Sequence, residues 1–406
     1  MRSHEDIRRS ESPRVLMVST GEWVSTARLA MVFDALGCTV DLVSLKDHPA
    51  LATGVVKRWY LYKPLRPLAS LRDALKGTWP DAIIPVDELS VLHLKELCEL
   101  RKKSRGLHDP LQELISHSLG GAMVLKAAYS RMVLLEIARE QGVPVPETLA
   151  VASPGMMTDV ARQLGLPMVL KADATSGGRG VRVVQSVAEA AEAWEELTRP
   201  PSLPRAAWRA AVWRDRTHFR TWARKEMRGV TAQRFLSGGE RTAMAVAHRG
   251  ELLSFISLEV VKTWKERGPS SVVKVVDDPA MELAMRRVLR ELGASGFCGF
   301  DFMMSETGTP LLIEMNPRPT QLAHLTLGEG RDLVAAYVRA LLGKDVRDRE
   351  AATSLDTIAL FPQEMQRDPQ SPYLQNAYHD VPWESPELIR RAVGEVPSLL
   401  RDAKEQ

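Results

Sequence analysis

Short apolar runs alternate with amphipathic segments in the first third of the chain. Three apolar runs predict strands, at residues 14–19, 39–44 and 81–86. Two segments with helical periodicity predict helices, at residues 25–36 and 88–101, and Gly37 ends the first of them. Strands that alternate with helices are typical of an open parallel sheet. We therefore expect a small α/β domain over residues 13–115, preceded by a flexible tail at residues 1–12.

The rest of the chain has a less uniform pattern. Helices are predicted at residues 130–141, 158–164 and 279–292, and strands at residues 230–236 and 242–247. Arginines alternate with tryptophans in residues 199–228. Such a stretch can bind nucleic acid, but more commonly it forms amphipathic helices with buried Trp side chains. Residues 343–406 contain few periodic segments, and we expect a C-terminal segment that wraps the main body.

A glycine-rich loop joins two apolar strands in the middle of the chain. Residues 167–184 read PMVLKADATSGGRGVRVV, with Lys171 at the end of the first strand. Glycines let successive backbone N–H groups point into one concavity, which suits phosphate oxygens, and Lys171 adds a positive charge. The loop does not match GxxxxGK[ST], and taken alone it is also compatible with an ordinary turn.

Residues 296–326 carry the clearest chemical signal, because two carboxylates interrupt an apolar hairpin. If its turn is centred on Thr307 and Gly308, Asp301 and Glu314 face each other with Cβ atoms roughly 4.5–5.5 Å apart. Two acids at that distance repel each other unless a cation or a proton lies between them.

The next residues of the hairpin complete a candidate metal site. Asn316 points to the same face as Glu314, and its partner in this register, Gly299, has no side chain and leaves the space open. Carboxylate and amide oxygens suit Mg²⁺ that is also bound by substrate phosphates, and Arg318 could meet a phosphoryl group. The alternative is a solvated hairpin whose acids pair with nearby arginines.

Composition and charge restrict the class of protein. The 406 residues give room for two to three domains, and a net charge of +3 gives no general argument for nucleic-acid or membrane binding. Three distant cysteines without a CxxC suggest thiols in a reducing compartment. No secretory signal or membrane-spanning run is visible, so we expect a cytoplasmic protein. No GxGxxG follows the first strand, which argues against a dinucleotide-dependent oxidoreductase.

Taken together, residues 120–342 resemble the ATP-grasp superfamily, in its carboxylate–amine ligase type. The resemblance lies in the order of the motifs: a basic residue before a GxPVP-type segment, a Lys and a glycine-rich loop, a hinge strand followed by an acid, and a D…E-x-N-x-R hairpin. It implies an α/β (α+β) ATP-grasp fold with an N-terminal open parallel-sheet domain. The ATP-grasp domain would occupy residues 116–342, with a lid at about 150–240 that includes the basic insertion 199–228.

The resemblance also implies roles for individual residues. The residues implied to bind ATP are Arg131 (with Lys126 less favoured), Lys171, Ser176, Gly177, Gly178, Gly180, Gln233, Arg234, Phe235, Leu236 and Glu240. Residues 233–236 would contact adenine and Glu240 the ribose, although many relatives begin this hinge with Glu instead of Gln. The implied metal ligands are Asp301, Glu314 and Asn316, and the implied catalytic residues are Arg318 and Lys171. Lys262 and Arg267 could reach the triphosphate or the substrate, or belong to a solvated loop.

The resemblance implies that the enzyme ligates two substrates through an acyl-phosphate, with ATP and Mg²⁺ (or Mn²⁺) as cofactors. The substrates would be a small carboxylic acid and an amine, by analogy an amino acid, and a homodimer is compatible with the same analogy. Carboxylation is the alternative within enzymes, since carboxylases share the E-x-N-x-R ending, although no biotin-carrier segment is visible. A non-catalytic nucleotide sensor is the other alternative, and the complete set of polar residues argues against it.

Overall fold

The computed structural model describes residues 12–102, 109–173, 180–199, 229–266 and 268–394. Its helices in chain order are α1 (Val24–Ala35), α2 (Pro67–Thr78), α3 (Glu88–Lys102), α4 (Pro110–Leu119), α5 (Ala122–Tyr129), α6 (Arg131–Glu140), α7 (Met157–Leu164), α8 (Val187–Thr198), α9 (Pro279–Leu292), α10 (Leu333–Leu341), α11 (Gln363–Arg367), α12 (Tyr373–Asn376) and α13 (Pro386–Val393). Its strands are β1 (Arg14–Val18), β2 (Thr39–Ser44), β3 (Val56–Leu61), β4 (Ala82–Pro85), β5 (Thr148–Ala150), β6 (Met168–Ala172), β7 (Val181–Val184), β8 (Val230–Arg234), β9 (Glu240–His248), β10 (Glu251–Thr263), β11 (Ser270–Val275), β12 (Gly296–Met304), β13 (Pro310–Asn316), β14 (Thr357–Leu360) and β15 (Tyr378–Asp380).

The chain divides into two units. The first contains Met1–Val124, Glu240–Phe300 and Asn316–Gln406, and the second contains Leu125–Gly239 and Asp301–Met315. Strands β12 and β13 each continue from one unit into the other. Within the described parts of the chain, no helix is long and apolar enough to cross a membrane.

The first unit begins with a sheet of four parallel strands in the order β3-β2-β1-β4. The predicted N-terminal parallel sheet is thereby confirmed. Strand β3 was not predicted, and the reason is visible in its sequence: it lies at the sheet edge and exposes Lys57, Arg58 and Trp59, so it lacks the apolar run of a buried strand.

A larger sheet in the first unit places β9 between β12 and β10, followed by β11, β14 and β15. Strand β14 pairs antiparallel with β11, and β15 pairs parallel with β14. The C-terminal segment, which we expected to wrap the main body, adds two strands to the main sheet. Neither strand was predicted: β15 has three residues and no apolar run, whereas the TIAL run of β14 was overlooked.

Aromatic packing joins the two sheets of the first unit to their helices. Phe33 of α1, Phe297 of β12 and Tyr337 of α10 are all buried, and the rings of Phe297 and Tyr337 stack with centroids 4.9 Å apart. Phe33 meets Tyr337 edge-on at 5.6 Å. Aromatic pairs of this geometry add to the stabilisation that comes from burial alone.

Helix α9 shows how local signals determine an element. Asp278 accepts hydrogen bonds from the backbone N–H groups of Ala280 and Met281 at the N-terminus, and Gly293 ends the helix with φ +59°. Pro279 occupies the first helical position, where its missing N–H costs nothing. The observed bounds equal the predicted residues 279–292, so this prediction is confirmed.

The second unit contains a four-stranded sheet in the order β5-β8-β6-β7, in which every pair is antiparallel. Helices α7 and α8 pack on it, with Met157, Val160 and Ala190 buried against Met168 and Leu170 of β6. The predicted helix at residues 158–164 and the two strands around the glycine-rich loop are confirmed.

Two buried histidines of the first unit should make stability depend on pH. Burial lowers the pKa of His48 to about 4, and burial, partly opposed by Asp380, lowers the pKa of His379 to about 4. In the unfolded chain both imidazole rings take up a proton at about pH 6.5. In the folded state both rings stay neutral until the pH falls to about 4. The free energy of unfolding should therefore fall from about pH 6.5 towards pH 4, by up to ~1.4 kcal/mol per pH unit for each histidine. Urea unfolding over this range measures the slope, and His48→Gln should reduce it; an unchanged slope in the variant would contradict the assignment.

Candidate active site

Lys171 of the second unit is held by a buried amide. Its Nζ donates to Oε1 of Gln233 at 2.7 Å, and Nε2 of Gln233 donates to the Thr148 hydroxyl at 3.0 Å. The three residues come from β6, β8 and β5, which are neighbours in one sheet, and Lys171 and Gln233 are 9% and 3% exposed. A nearly buried ammonium oriented by an amide is well placed to meet an anionic group.

Residues 233–236 were predicted to contact adenine, and the segment that follows them lies against the hairpin at Gly238 and Gly239. Gln233 and Arg234 still belong to the strand, and Arg234 pairs with Glu147 at 2.6 Å on the surface. The N–H of Met304 donates to the carbonyl of Gly239 at 2.9 Å. A Cβ at Gly238 would lie 1.9 Å from the Met304 carbonyl oxygen, so this close approach requires glycine. Phe235 follows the strand with 39% of its surface exposed.

Arg131 lies between two carboxylates in the same unit. Its guanidinium is 3.5 Å from Asp173 and 3.7 Å from Glu314, and its side chain is 9% exposed. Its Nε and Nη1 atoms are buried and have no hydrogen-bond acceptor among the described residues. Buried donors are normally satisfied, so a guanidinium with spare donors has the capacity to bind an anion.

Asp173, the acid that pairs with Arg131, was not singled out by our sequence analysis. Burial raises the pKa of its carboxyl, Arg131 opposes this, and the Glu314 carboxylate raises it further. A signal was available, because Asp173 stands two residues after Lys171 and therefore on the same face of the extended chain. Raised carboxyl pKa values occur in functional sites and also in structural ion-pair networks.

The predicted register of the hairpin is wrong at its tip. The Ser305 N–H donates to the Thr309 carbonyl at 2.9 Å, which centres the turn on Thr307 alone, and Gly308 adopts φ +78°. This is a three-residue loop closed by a glycine in the left-handed region, which sequence alone does not separate from a two-residue turn.

In the first unit a Cβ at Gly299 would lie 3.8 Å from the Asn316 Cβ, so those two residues do face each other as predicted. The space at Gly299 is not open, because the Thr320 methyl lies 2.6 Å from the same point.

Arg318 of the first unit is paired with an acid that the sequence did not suggest. Its Nη2 forms an ion pair with the carboxylate of Glu88, the first residue of α3. Its backbone N–H donates to the Asn316 carbonyl at 2.8 Å. Glu88 is 230 residues away in the chain, so nothing in the local pattern reveals this contact.

Several other predicted residues are described only in part. Ser176, Gly177, Gly178, Arg267 and residues 200–228 lie outside the described residues, whereas the Gly180 carbonyl accepts from Ala172 at 2.8 Å. Glu240 opens β9, Lys126 lies on α5, and Lys262 is exposed on β10. The roles implied for these residues stay predictions.

Oxygen donors of the kind Mg²⁺ prefers are present. The Glu314 side chain is 38% exposed, and Asp301 is half-buried on β12. Within the described ranges no three His, Cys, Asp or Glu side chains form a metal-binding group. Mg²⁺ is usually held by one or two carboxylates together with phosphates and water, so the donor set fits this ion.

Comparison with known proteins gives the family. Residues 136–203 and 212–321 each match a family model described as an ATP-grasp domain. A D-alanine–D-alanine ligase from Laribacter hongkongensis is 28% identical over 199 residues, which are 45% of this chain and 54% of the ligase. A formate-dependent phosphoribosylglycinamide formyltransferase from Ignicoccus hospitalis is 23% identical over 361 residues, 85% of this chain and 79% of that protein.

A solved structure shares the fold. Carboxyaminoimidazole ribonucleotide synthase from Aspergillus clavatus, complexed with ATP, superposes with a TM-score of 0.61 at 18% identity, covering 83% of this chain and 78% of the synthase. The fold, the motifs and the family models identify this chain as a member of the ATP-grasp superfamily. The match spans only about half of the D-alanine–D-alanine ligase, 54% of its length.

Replacement of Gln233 should test how Lys171 is oriented. Gln233→Leu removes the acceptor that holds the Lys171 ammonium, so we expect the KM for ATP to rise about 10-fold, the cost of one charge-assisted hydrogen bond. Gln163→Leu is the matched control, because Gln163 bonds Glu147 at 2.9 Å on the exposed surface. Equal KM values in both variants would show that Gln233 does not orient a nucleotide-binding group.

Proposed function

We propose that this enzyme is an ATP-dependent carboxylate–amine ligase that forms an amide or peptide bond. The observation that supports this most directly is the Arg131 guanidinium, which is buried with spare donors beside Asp173 and Glu314. The two buried nitrogens of Arg131 that have no acceptor among the described residues would be satisfied by phosphate oxygens of a nucleotide. Lys171, oriented by Gln233, adds a second positive charge in the same unit.

The proposed reaction has two steps. A carboxylate oxygen of the substrate attacks the γ-phosphorus of ATP, the bond from that phosphorus to the β,γ-bridging oxygen breaks, and ADP leaves. The amine then attacks the acyl carbon of the acyl-phosphate, inorganic phosphate leaves, and the nitrogen loses a proton. Such phosphoryl transfer depends mainly on positioning and on electrostatic stabilisation.

The residues of this chain would carry out the positioning. Arg131 and Lys171 would bind phosphate oxygens, and Arg318 would lie beside the transferring phosphoryl group, as the family resemblance implies. Asp301, Glu314 and Asn316 would hold Mg²⁺, which when bound offsets the negative charge of the triphosphate. We propose ATP and Mg²⁺ as the cofactors.

Carboxylation is the second candidate. The solved structure described above is named as a carboxyaminoimidazole ribonucleotide synthase. The match with this chain covers 78% of the synthase, whereas the match with the D-alanine–D-alanine ligase covers 54% of the ligase. In that case bicarbonate would replace the organic acid in the first step. The domain limits, a homodimer and a cytoplasmic location also stay predictions.

Trapping the intermediate distinguishes the two candidates. The enzyme is incubated with ATP, Mg²⁺, hydroxylamine and either individual amino acids or bicarbonate. A ligase should give an amino-acid hydroxamate and release phosphate in proportion to it, because hydroxylamine replaces the natural amine. Phosphate release that needs bicarbonate and gives no hydroxamate would reject the ligase in favour of the carboxylase.

A further inference from the structure

The first unit carries a group of uncompensated positive charges at the edge of its parallel sheet. Residues 57–79 contain six lysines and arginines but a single acid, Asp73. Exposed arginines elsewhere, such as Arg162 and Arg286, pair with an acid of the same helix at 2.7 Å. All six basic residues of this stretch are exposed, and none pairs with an acid among the described residues: Lys57, Arg58, Lys63, Arg66, Arg72 and Lys76. We call the exposed side chains of residues 57–79, which lie on β3, on α2 and on the residues beside them, the β3–α2 surface.

Large apolar side chains are exposed within the same surface. Trp59, Leu61, Leu65 and Trp79 are 41%, 45%, 78% and 42% exposed. The Trp59 ring is held in place, because its Nε1 donates to the Ser44 hydroxyl at 3.1 Å. Trp79 follows α2 with φ +38°, in the left-handed region that bulky residues rarely adopt. Exposed apolar groups among charged ones are typical of interaction sites.

Strand β3 also offers an open backbone edge. It is the first strand in the order β3-β2-β1-β4, and among the described strands only β2 pairs with it. The outer side of an edge strand presents N–H and C=O groups with which another extended chain can pair. The β3–α2 surface therefore provides backbone hydrogen-bonding groups in addition to charge.

The two faces of β3 differ in their chemistry. Arg58 faces α2, since its Nη1 donates to the Gly77 carbonyl at 2.7 Å, and Lys76 precedes Gly77 in the last turn of that helix. The pairing with β2 is regular from Arg58 to Leu61, so Trp59 and Leu61 lie on the opposite face. A strand added outside β3 would thus meet positive charge on one face and apolar side chains on the other.

We propose that the β3–α2 surface binds an extended acidic segment of a partner protein, which pairs with the outer edge of β3 and alternates acidic with apolar residues. The apolar side chains of that segment lie beside Trp59 and Leu61, and its carboxylates lie beside Arg58 and Lys76. Main-chain hydrogen bonds supply affinity in such strand addition, and the alternate side chains supply specificity. This inference goes beyond the proposed function and does not rest on it.

Other occupants fit this edge less well. Two β3 strands from two copies of the chain would bring Lys57 and Arg58 of one copy beside those of the other, and like charges on paired strands repel. A nucleic acid would satisfy the cations but leave the backbone groups of β3 unpaired. Lysine and arginine also protect edge strands from aggregation, but an edge that is only protected would not expose Trp59 and Leu61.

Peptide binding tests the inference directly. The probe is a fluorescein-labelled peptide of alternating Glu and Val, and its binding to the full chain is followed by fluorescence anisotropy. Three ligands of equal length serve for comparison: the same peptide N-methylated at every residue, polyglutamate and oligothymidine. We expect the alternating peptide to bind at least about 10-fold more tightly than each of them, because only this peptide can both pair with β3 and cover its apolar face. Amide hydrogen exchange at residues 56–61 should slow when it binds.

Charge reversal locates the site. The double variant Lys57→Glu, Lys76→Glu should weaken binding of the alternating peptide at least about 10-fold, because attraction becomes repulsion. The matched control is Arg139→Glu, Arg347→Glu, which changes the net charge equally at two exposed residues. Arg139 lies in the last turn of α6 as Lys76 lies in the last turn of α2. The control variant should bind like wild type, and equal melting temperatures of the two variants would exclude unfolding as the cause.

Each alternative outcome rejects strand addition at β3. Wild type that does not bind the alternating peptide overturns the inference. Equal affinity for the N-methylated peptide, for polyglutamate or for oligothymidine would show that any polyanion adsorbs to the cations, which also overturns it. The same holds for an equal loss of affinity in both double variants. Phosphate release from ATP does not enter these measurements, so their failure leaves the proposed function unaffected.

Discussion

Glu314→Gln is expected to lower ATP turnover at least about 100-fold at saturating Mg²⁺, the scale of losing one electrostatic contact in a transition state. The substitution keeps the shape of the side chain but removes the charge that would hold the metal ion and that now lies 3.7 Å from Arg131. Initial rates of phosphate release over a range of Mg²⁺ concentrations measure the effect.

The same hairpin supplies the control for this variant. Glu306→Gln changes an exposed acid in the turn, so its turnover should equal that of wild type. Equal melting temperatures of the two variants would exclude unfolding as the cause. Wild-type turnover in Glu314→Gln would remove Glu314 from the proposed metal site.

Asp380→Asn is expected to destabilise the protein by about 3–5 kcal/mol, because it removes the central charge of a buried network. Asp380 accepts from Arg28 at 2.7 Å and is paired with His324 at 2.7 Å, so it connects α1, β15 and the loop after β13. Burial alone would raise the pKa of the Asp380 carboxyl, but Arg28 and His324 outweigh burial and hold the pKa at about 2. The Arg28 charge would be left buried without its counter-ion.

Urea unfolding of wild type and variant at neutral pH measures this loss. Asp356→Asn is the comparison, because Asp356 lies in the same C-terminal segment but pairs with Lys274 at the surface, 3.4 Å away. We expect little change for that variant. If both variants lose the same stability, the buried network does not stabilise the fold in the way we describe.

The parts of the fold that the sequence predicted are those with strong local signals. Helix α9 carries an N-terminal Asp–Pro pair and a C-terminal glycine, and its bounds were predicted to the residue. Strands β1, β2 and β4 are buried on both faces and appear as continuous apolar runs. Strand β3 was missed because it is an exposed edge strand, and β15 because its three residues YHD are not apolar. Strand β14 was missed although its sequence TIAL is a short apolar run like that of β4.

The candidate site was predictable where a motif carries it and not where it depends on distant contacts. Lys171 and Glu314 follow from their motifs, whereas the contacts of Gln233 with Lys171 and of Glu88 with Arg318 join residues 62 and 230 positions apart. The turn of the hairpin shows a further limit. One residue more or less in a loop with glycine shifts the register, and the sequence pattern is nearly the same for both.

Phosphate release from ATP with a panel of acids tests the central claim most directly. The wild-type enzyme is assayed with Mg²⁺ and ATP, either alone or with mixed amino acids, small carboxylic acids or bicarbonate. Our account predicts release that requires an added amino acid and is lost in Glu314→Gln. Release that bicarbonate alone supports, or ATP hydrolysis that no acid stimulates, would contradict a carboxylate–amine ligase.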